Sequence, residues 1–268
     1  MSTIEKPKGR LKTPISYYGG KQSMLKHILP MIPDHKVYGE VFFGGGAVFW
    51  AKEQAEAEVI NDYNGMVMNF YEQLKMNFDA LKSAIEATPY SRQTYQKALV
   101  VYENPYLFTP VIKAWAFWTA TVQGFTNNIG SWKAAQKTSS EAQYASNKKL
   151  QISGDLEKRL EIVQIECSDA IYIIERMDSP DTFFYIDPPY VDSLQGHYGG
   201  YTQQHFDNLL EALSKIKGKF LLSSYPNESL ERYREIFKWN NNDQKVHLSA
   251  SRSSKLKIEC LTYNYDLK

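Results

Sequence analysis

The chain has 268 residues, 43% of them hydrophobic, and carries 31 basic against 30 acidic side chains for a net charge of +1. That length can bury a substantial core and fits one large domain or one domain carrying an insertion. The near-neutral balance excludes a blanket polycation, so affinity for nucleic acid has to come from local patches, of which "KPKGRLK" at 6–12 and "RSSKLK" at 252–257 are the candidates.

In chain order, a loose first dozen residues lead to "YYGGK" at 17–21 and then to a short amphipathic helix, with Met24, Leu25, Ile28 and Leu29 at helical spacing and Pro30 and Pro33 closing it. "VYGEVFF" predicts a strand, "GGG" at 44–46 a turn, "AVFWAKEQAEA" a helix and "EVIND" a second strand, which together make a β-loop-α-β unit. From 66 to 87 the apolar residues Phe70, Leu74, Leu81 and Ile85 recur at near-helical spacing, and "VIKAWAFWTATV" predicts another helix after Pro110. Periodicity then breaks throughout "QGFTNNIGSWKAAQKTSSEAQYASNKK", which predicts an exposed loop or hairpin. Residues 68–153 are therefore expected to form a mostly helical insertion.

Sheet-like alternation resumes at "LEIVQIECSDA", followed by the helix "AIYIIERM" and the buried-type strand "TFFYIDPPY". Thr202 can cap "QQHFDNLLEALSKI", "GKFLLSSY" is a further strand, Asn227 can cap "ESLERYREIF", and "KVHLSA" with "KIECLTYNY" predicts a terminal hairpin. Strands alternating with helices on both sides of the insertion predict one α/β domain, residues 1–67 and 154–268, interrupted by a second at 68–153.

Neither Cys167 nor Cys260 belongs to a pair with metal-ligand or redox spacing, and each stands in an apolar strand-like context, so two buried thiols in a reducing compartment are expected. The five histidines are scattered, and no metal site is predicted. No apolar run approaches the length that spans a bilayer, and the basic N-terminus lacks the apolar core of a secretory signal, so no membrane association and a cytoplasmic location are expected.

Three constellations carry chemistry. The first is "DPPY" at 187–190, at the carboxyl end of a strand where open α/β sheets place their ligands. The lone pair of an aromatic amine is delocalised into its ring, so the nitrogen is a poor nucleophile until its hydrogens are held by acceptors that favour a pyramidal geometry. Asp187 supplies a carboxylate and Pro188 a rigid carbonyl. Pro189 completes the stiff unit, and Tyr190 offers a ring face to a base drawn from its stack. The bland alternative is a tight strand exit. The second is the glycine loop before "VIND", where Gly44 and Gly46 let a ligand approach the backbone and Asp62 can hold both hydroxyls of a ribose. It departs from GxGxxG, with Phe49 where a glycine would stand, which disfavours a pyrophosphate ligand. The third is "YYGGK", in which Lys21 can reach an anion, but Gln22 prevents a phosphate loop.

Together and in this order, "YYGGK", "EVFFGGGAVF", "IND" and "FFYIDPPY" resemble the adenine-specific DNA methyltransferases of the alpha arrangement, the class that includes the bacterial and phage GATC adenine methylases. The resemblance covers most of the chain and is poor through the insertion. It implies an α/β fold, a Rossmann-like S-adenosylmethionine-dependent methyltransferase sheet with a mostly helical DNA-recognition insertion. It also implies S-adenosyl-L-methionine as cofactor, no metal, double-stranded DNA as partner, base flipping, and scope for a restriction endonuclease partner in the cell. By that resemblance the cofactor contacts fall on Tyr17, Lys21, Phe42, Gly44, Gly46, Asp62 and Asp187, and the catalytic segment is Asp187, Pro188, Pro189 and Tyr190. Glu40 matches an acid found before the glycine loop, and Asp169 lies where the family bends past the cofactor's adenine. Relatives that read GATC often carry a lysine where this chain has Ser16, which opens the question of the recognition sequence. By analogy Phe125, Asn127, Asn128, Ser131, Trp132 and Lys133 are the expected DNA contacts, Asn being suited to a bidentate pairing with adenine and the aromatics to wedging or stacking.

The same amine-holding logic serves the cytosine 4-amino group, RNA adenine or a protein amide. A catalytically inactive DNA-binding module is the alternative of another class.

Overall fold

The computed structural model describes residues 11–17, 19–125, 129–134, 140–191, 200–247 and 256–267. Asn127, Asn128 and most of both basic patches lie outside the described residues. The chain divides into two compact units, one of Met1–Lys26, Gly44–Gln54 and Asn64–Cys167, the other of His27–Phe43, Ala55–Tyr63 and Ser168–Lys268.

The second unit is built on a mixed sheet. Strands β1 (Val37–Glu40), β2 (Ala57–Asn61), β4 (Thr182–Ile186) and β5 (Lys219–Ser224) are parallel in the order β2-β1-β4-β5, with β3 (Val163–Glu166) belonging to the first unit. Strand β8 (Leu256–Tyr263) runs antiparallel to β5 and pairs in turn with β6 (Asn240–Asn241) and β7 (Gln244–His247), so the predicted terminal hairpin is present. The pleat sorts side chains to two faces. On one face Val41, Phe184, Ile186, Phe220, Leu222 and Cys260 form an apolar core with the helices that follow β3, β4 and β5. The close approach of two strands on this face explains Gly39: a Cβ there would stand 2.7 Å from Cδ1 of the buried Phe184 ring.

Eleven helices occur among the described residues: α1 (Leu25–Ile28), α2 (Ala47–Ala51), α3 (Gly65–Met76), α4 (Phe78–Glu86), α5 (Arg92–Glu103), α6 (Pro110–Gln123), α7 (Glu141–Leu150), α8 (Gly154–Leu160), α9 (Ala170–Met177), α10 (Gln203–Leu213) and α11 (Glu228–Phe237). The caps at α10 and α11 are those expected. Thr202 and His205 form a reciprocal capping box, and Asn227 accepts from the Ser229 and Leu230 N–H groups.

In the first unit α6 is the central helix, with Phe117, Trp118 and Ala120 fully buried. The segment before the glycine turn is fastened to this unit by the Trp118 indole on the Pro14 carbonyl at 3.1 Å and by the Lys148 ammonium on the Thr13 and Ile15 carbonyls at 3.0 and 3.3 Å. Burial, then the charge of Lys12, pulls the Lys148 pKa down to about 8.

Three expectations are corrected. The stretch 123–149 contains a helix after all, α7, capped by the Ser140 side chain and tied down by Lys148 rather than marked by an apolar stripe. Helix α2 is five residues, not eleven, because the Ala55 N–H turns to Glu58 at 3.0 Å and Ala57 joins the sheet through the Lys36 carbonyl. Cys260 is buried, but Cys167 is exposed, since it lies just past the end of β3.

Candidate active site

The chain passes from β1 to β2 on one side and returns to β4 on the other, so the strand order reverses between β1 and β4, and open α/β sheets bind ligands outside the carboxyl ends of strands at such a point. Glu40, Phe42, Asp62 and Asp187 all belong to this end of the second unit, at the carboxyl ends of β1, β2 and β4. Glu40 and Asp62 are buried, 3% and 0% exposed, which is unusual for carboxylates that do not serve a ligand or a specific network. The Phe42 ring meets Tyr201 edge-on, with centroids 6.1 Å apart. Asn61, wholly buried, clamps the edge: its Nδ2 donates to the Val41 carbonyl at 3.0 Å and to the Ser168 carbonyl at 3.1 Å, while its Oδ1 accepts from the Ser168 N–H at 2.9 Å. One side chain thus sets the spacing of the loops that begin at Phe42, Asp62 and Asp169.

On the sheet face opposite the apolar core, alternate residues bring acids and phenols together. Tyr38 donates to Oε2 of Glu40 at 2.6 Å, and the register places Glu40 beside Tyr185. Burial first, and then the charges of Asp187, Glu40 and Glu259, push the Tyr185 phenol well above its ordinary pKa. Tyr38 is raised in the same way, by burial and then by Glu40.

The DPPY segment closes this stripe. Pro188 is buried, while Asp187, Pro189 and Tyr190 are half-buried. The Tyr190 hydroxyl lies 3.1 Å from Oδ1 of Asp187, 3.1 Å from Oγ of Ser223 and in hydrogen-bond contact with Oε1 of Glu259, which also accepts from Ser223. Its pKa is raised strongly, by desolvation first and then by Asp187 and Glu259. The Tyr190 and Tyr225 rings meet edge-to-face at 4.2 Å, and a small pocket behind the loop is lined by Pro188, Pro189, Tyr190, Phe206, Ser224 and Tyr225.

In the first unit, Tyr17 and Lys21 are buried on either side of a tight turn in which Gly19 takes φ +76°, and the Lys21 ammonium donates to the Gly19 carbonyl at 3.2 Å. Gly44 and Gly46 also take positive φ, 46° and 62°, and the Tyr71 hydroxyl holds the Gly44 carbonyl at 2.9 Å. A Cβ at Gly45 would come within 3.3 Å of the Tyr17 Cβ, so any larger residue there would press the glycine turn against the "YYGGK" turn.

The predicted DNA contacts that are described lie beside the antiparallel pairing of Gly124 with Trp132 and the Phe125 N–H on the Ser131 carbonyl at 2.7 Å. Phe125 and Ser131 are exposed. Trp132 is half-buried, with the Arg92 guanidinium 4.6 Å from its ring centre and the Tyr90 ring at 5.5 Å. Lys133 is ion-paired with Glu141 at 2.7 Å. Asp169 is exposed and caps α9 through the Ile171 and Tyr172 N–H groups.

Reading by motif missed Asn61 as a clamp and missed Ser223 and Glu259 altogether. A signal for Glu259 does exist: it is an acid in phase with Leu261 and Tyr263 on one face of a strand, where an apolar residue would be expected. Among the described residues no cluster of His, Cys, Asp or Glu could hold a metal, and no helix is long and apolar enough to cross a membrane.

A family model described as D12 class N6 adenine-specific DNA methyltransferase matches residues 17–254. The Type II methyltransferase M1.LlaDCHI of Lactococcus lactis subsp. cremoris is 37% identical over 82 residues, which is 30% of this chain, and the chain spans only 28% of that protein's length. Among solved structures the chain aligns with precorrin 8W decarboxylase of Methanobacterium thermoautotrophicum, at 10% identity over 94% of this chain and 97% of that one, with a TM-score of 0.40. It aligns also with the rRNA methyltransferase aviRa of Streptomyces viridochromogenes, at 10% identity over 89% and 81%, with a TM-score of 0.37.

Proposed function

Because this chain belongs to the D12 class N6 adenine-specific DNA methyltransferases, we propose that it is a site-specific enzyme transferring a methyl group from S-adenosyl-L-methionine to the 6-amino group of an adenine flipped out of duplex DNA. The observation that carries the reading is the placement of "DPPY" at the carboxyl end of β4, beside the reversal of strand order, with Asp187 and Tyr190 in one hydrogen-bonded network.

The donor set suits the cofactor. S-adenosylmethionine presents ribose hydroxyls, an ammonium and a sulfonium, and the residues proposed to meet it include the acids Asp62 and Asp187 with Phe42, together with Tyr17, Lys21, Gly44 and Gly46. The cofactor supplies a methyl group already activated by its positive sulfur. The protein's part is then positioning and electrostatics. Asp187 and the Pro188 carbonyl each hold one hydrogen of the adenine amine and turn its lone pair out of conjugation. Pro189 keeps the two acceptors in fixed relation, and Tyr190 covers the base. Residues 1–67 and 154–268 form the catalytic domain in this reading, and residues 68–153 the target-recognition domain, with Phe125, Asn127, Asn128, Ser131, Trp132 and Lys133 toward DNA. A restriction endonuclease in the same cell is the partner that such methylation would protect against.

The test is to incubate the protein and Asp187→Ala with unmethylated duplex DNA and labelled S-adenosylmethionine, digest to nucleosides and identify the labelled one by mass spectrometry. N6-methyladenine from the wild type alone is expected. Labelled methylcytosine, or label only on RNA or protein substrates, would overturn the choice of substrate, and equal activity in Asp187→Ala would overturn the role of the loop.

A further inference from the structure

Resting on the methyl-transfer reading, we propose that Glu259 is a positioning residue that draws the Tyr190 hydroxyl away from Asp187, so that Asp187 meets the substrate amine instead of a phenol.

A phenol has one proton to donate, and among the described residues Asp187, Ser223 and Glu259 all stand within reach of the Tyr190 hydroxyl as acceptors. Two of them are carboxylates competing for that proton. The Tyr190 hydroxyl is in hydrogen-bond contact with Glu259, whereas its contact to Asp187, at 3.1 Å, is long for a hydroxyl on a carboxylate, where 2.5–2.7 Å is usual. Glu259 is itself held in place. It is 5% exposed, it accepts from Ser223, and the antiparallel register of β5 and β8 puts those two diagonally across the same face. The geometry therefore assigns the Tyr190 proton to Glu259.

The consequence for chemistry follows from what Asp187 has to do. Each Oδ1 lone pair engaged by Tyr190 is one less for the amine, and a charge-assisted O–H···O bond at that oxygen would withdraw the electron density that pulls the amine pyramidal. An amide at position 259 is a weaker acceptor than a carboxylate and can donate to the phenol oxygen. In Glu259→Gln the Tyr190 proton should accordingly pass to Asp187. Tyr190→Phe keeps the ring and deletes the hydroxyl, so it removes the competition that Glu259 suppresses.

The experiment compares wild type, Glu259→Gln, Tyr190→Phe and the double variant in steady-state methylation of duplex DNA, each first checked for a cooperative melt. Glu259→Gln is expected to lower kcat about tenfold or more with the KM for S-adenosylmethionine within about twofold, and the double variant to recover to the level of Tyr190→Phe. A purely packing role predicts the opposite, a double variant as slow as Glu259→Gln or slower, and that result would overturn the proposal. A crystal structure of Glu259→Gln gives a readout independent of activity. The Tyr190–Asp187 contact should shorten from 3.1 Å toward about 2.6 Å; a hydroxyl that stays on residue 259 overturns it too. Where Glu259→Gln does not fold, Glu259→Met removes the charge without requiring a hydrogen bond, and suppression by Tyr190→Phe is again expected. If the wild type labels no DNA base, the methylation reading falls and this inference with it. If the wild type is active and Glu259→Gln matches it in kcat, this inference alone falls.

Discussion

Replacing Asn61 with alanine should unfasten the ligand-binding edge of the sheet. The side chain is wholly buried and makes three hydrogen bonds, one to Val41 and two to Ser168. The Val41 residue is 1% exposed, so losing its partner leaves a desolvated carbonyl, at a cost of about 1–3 kcal/mol. Ser168 is half-buried and water can replace part of what it loses, so its two bonds contribute about 0.5–1 kcal/mol each. The sum is a loss of about 3 kcal/mol in folding free energy, to be read as the shift in urea midpoint at constant slope. Asn61→Asp sharpens the test. It keeps the acceptor for the Ser168 N–H but sets a carboxylate against two carbonyl oxygens, so it should destabilise at least as much. Because the same atoms space the loops before Phe42 and Asp169 and the side chain directly precedes Asp62, affinity for S-adenosylmethionine should fall in both variants. A stability loss below about 1 kcal/mol for Asn61→Ala, or unchanged cofactor binding, would refute the clamp.

Gly39→Ala would place a Cβ 2.7 and 2.9 Å from two atoms of the buried Phe184 ring and should cost about 1–3 kcal/mol, lowering Tm; an unchanged Tm would contradict the packing argument. Phe125 is 49% exposed, so Phe125→Ala should leave the melt within about 0.5 kcal/mol while weakening DNA binding in a mobility-shift titration. Trp132→Ala, which strips the contacts with Arg92 and Tyr90, should cost about 1–2 kcal/mol as well. Lys148 tests the pH dependence. Its pKa is depressed in the folded state, so the unfolded chain binds the extra proton, and stability should rise as pH goes from about 8 toward the ordinary lysine value. That rise, up to about 3 kcal/mol if the full depression is expressed, should be absent from Lys148→Met in urea titrations at a series of pH values.

The elements that were legible from sequence are those whose pattern is local. "VYGEVFF" and "FFYIDPPY" are short apolar runs ended by glycine or proline, and Thr202 and Asn227 stand immediately before periodic helices, so β1, β4, α10 and α11 could be placed from their own residues. Helix α7 could not, because "EAQYASNKKL" has little apolar surface and its order comes from partners far along the chain: Tyr144 meets Ser16 at 2.6 Å, and Lys148 meets residues 13 and 15. The same distinction divides the site. The glycine turns and Asp187 announce themselves by residue type and spacing. The meeting of Tyr190 with Glu259, 69 positions away, depends on the antiparallel register of β5 with β8, which no motif encodes.

The doubled proline after Asp187 has its explanation in a comparison among strand exits. After β2, β3 and β5 the chain reaches Asn64, Asp169 and Asn227, and each turns its side-chain oxygen onto the backbone N–H two residues on, at 2.9 Å in all three, to begin a helix. Such local capping is the default for an Asx side chain at a turn. After β4 the acid comes sooner, Asp187 standing one residue past the strand end rather than three, and the position two residues on is Pro189, which has no N–H to give. Pro188 removes the donor before it and holds residue 187 extended. The cap made through the N–H two residues on is thereby closed to Asp187. Its Oδ1 meets the Tyr190 hydroxyl, and that hydroxyl has a second carboxylate to go to. In the methyl-transfer reading the two prolines and Glu259 then act to one end, since the prolines withhold the N–H groups of positions 188 and 189 from Asp187 and Glu259 competes for the Tyr190 proton.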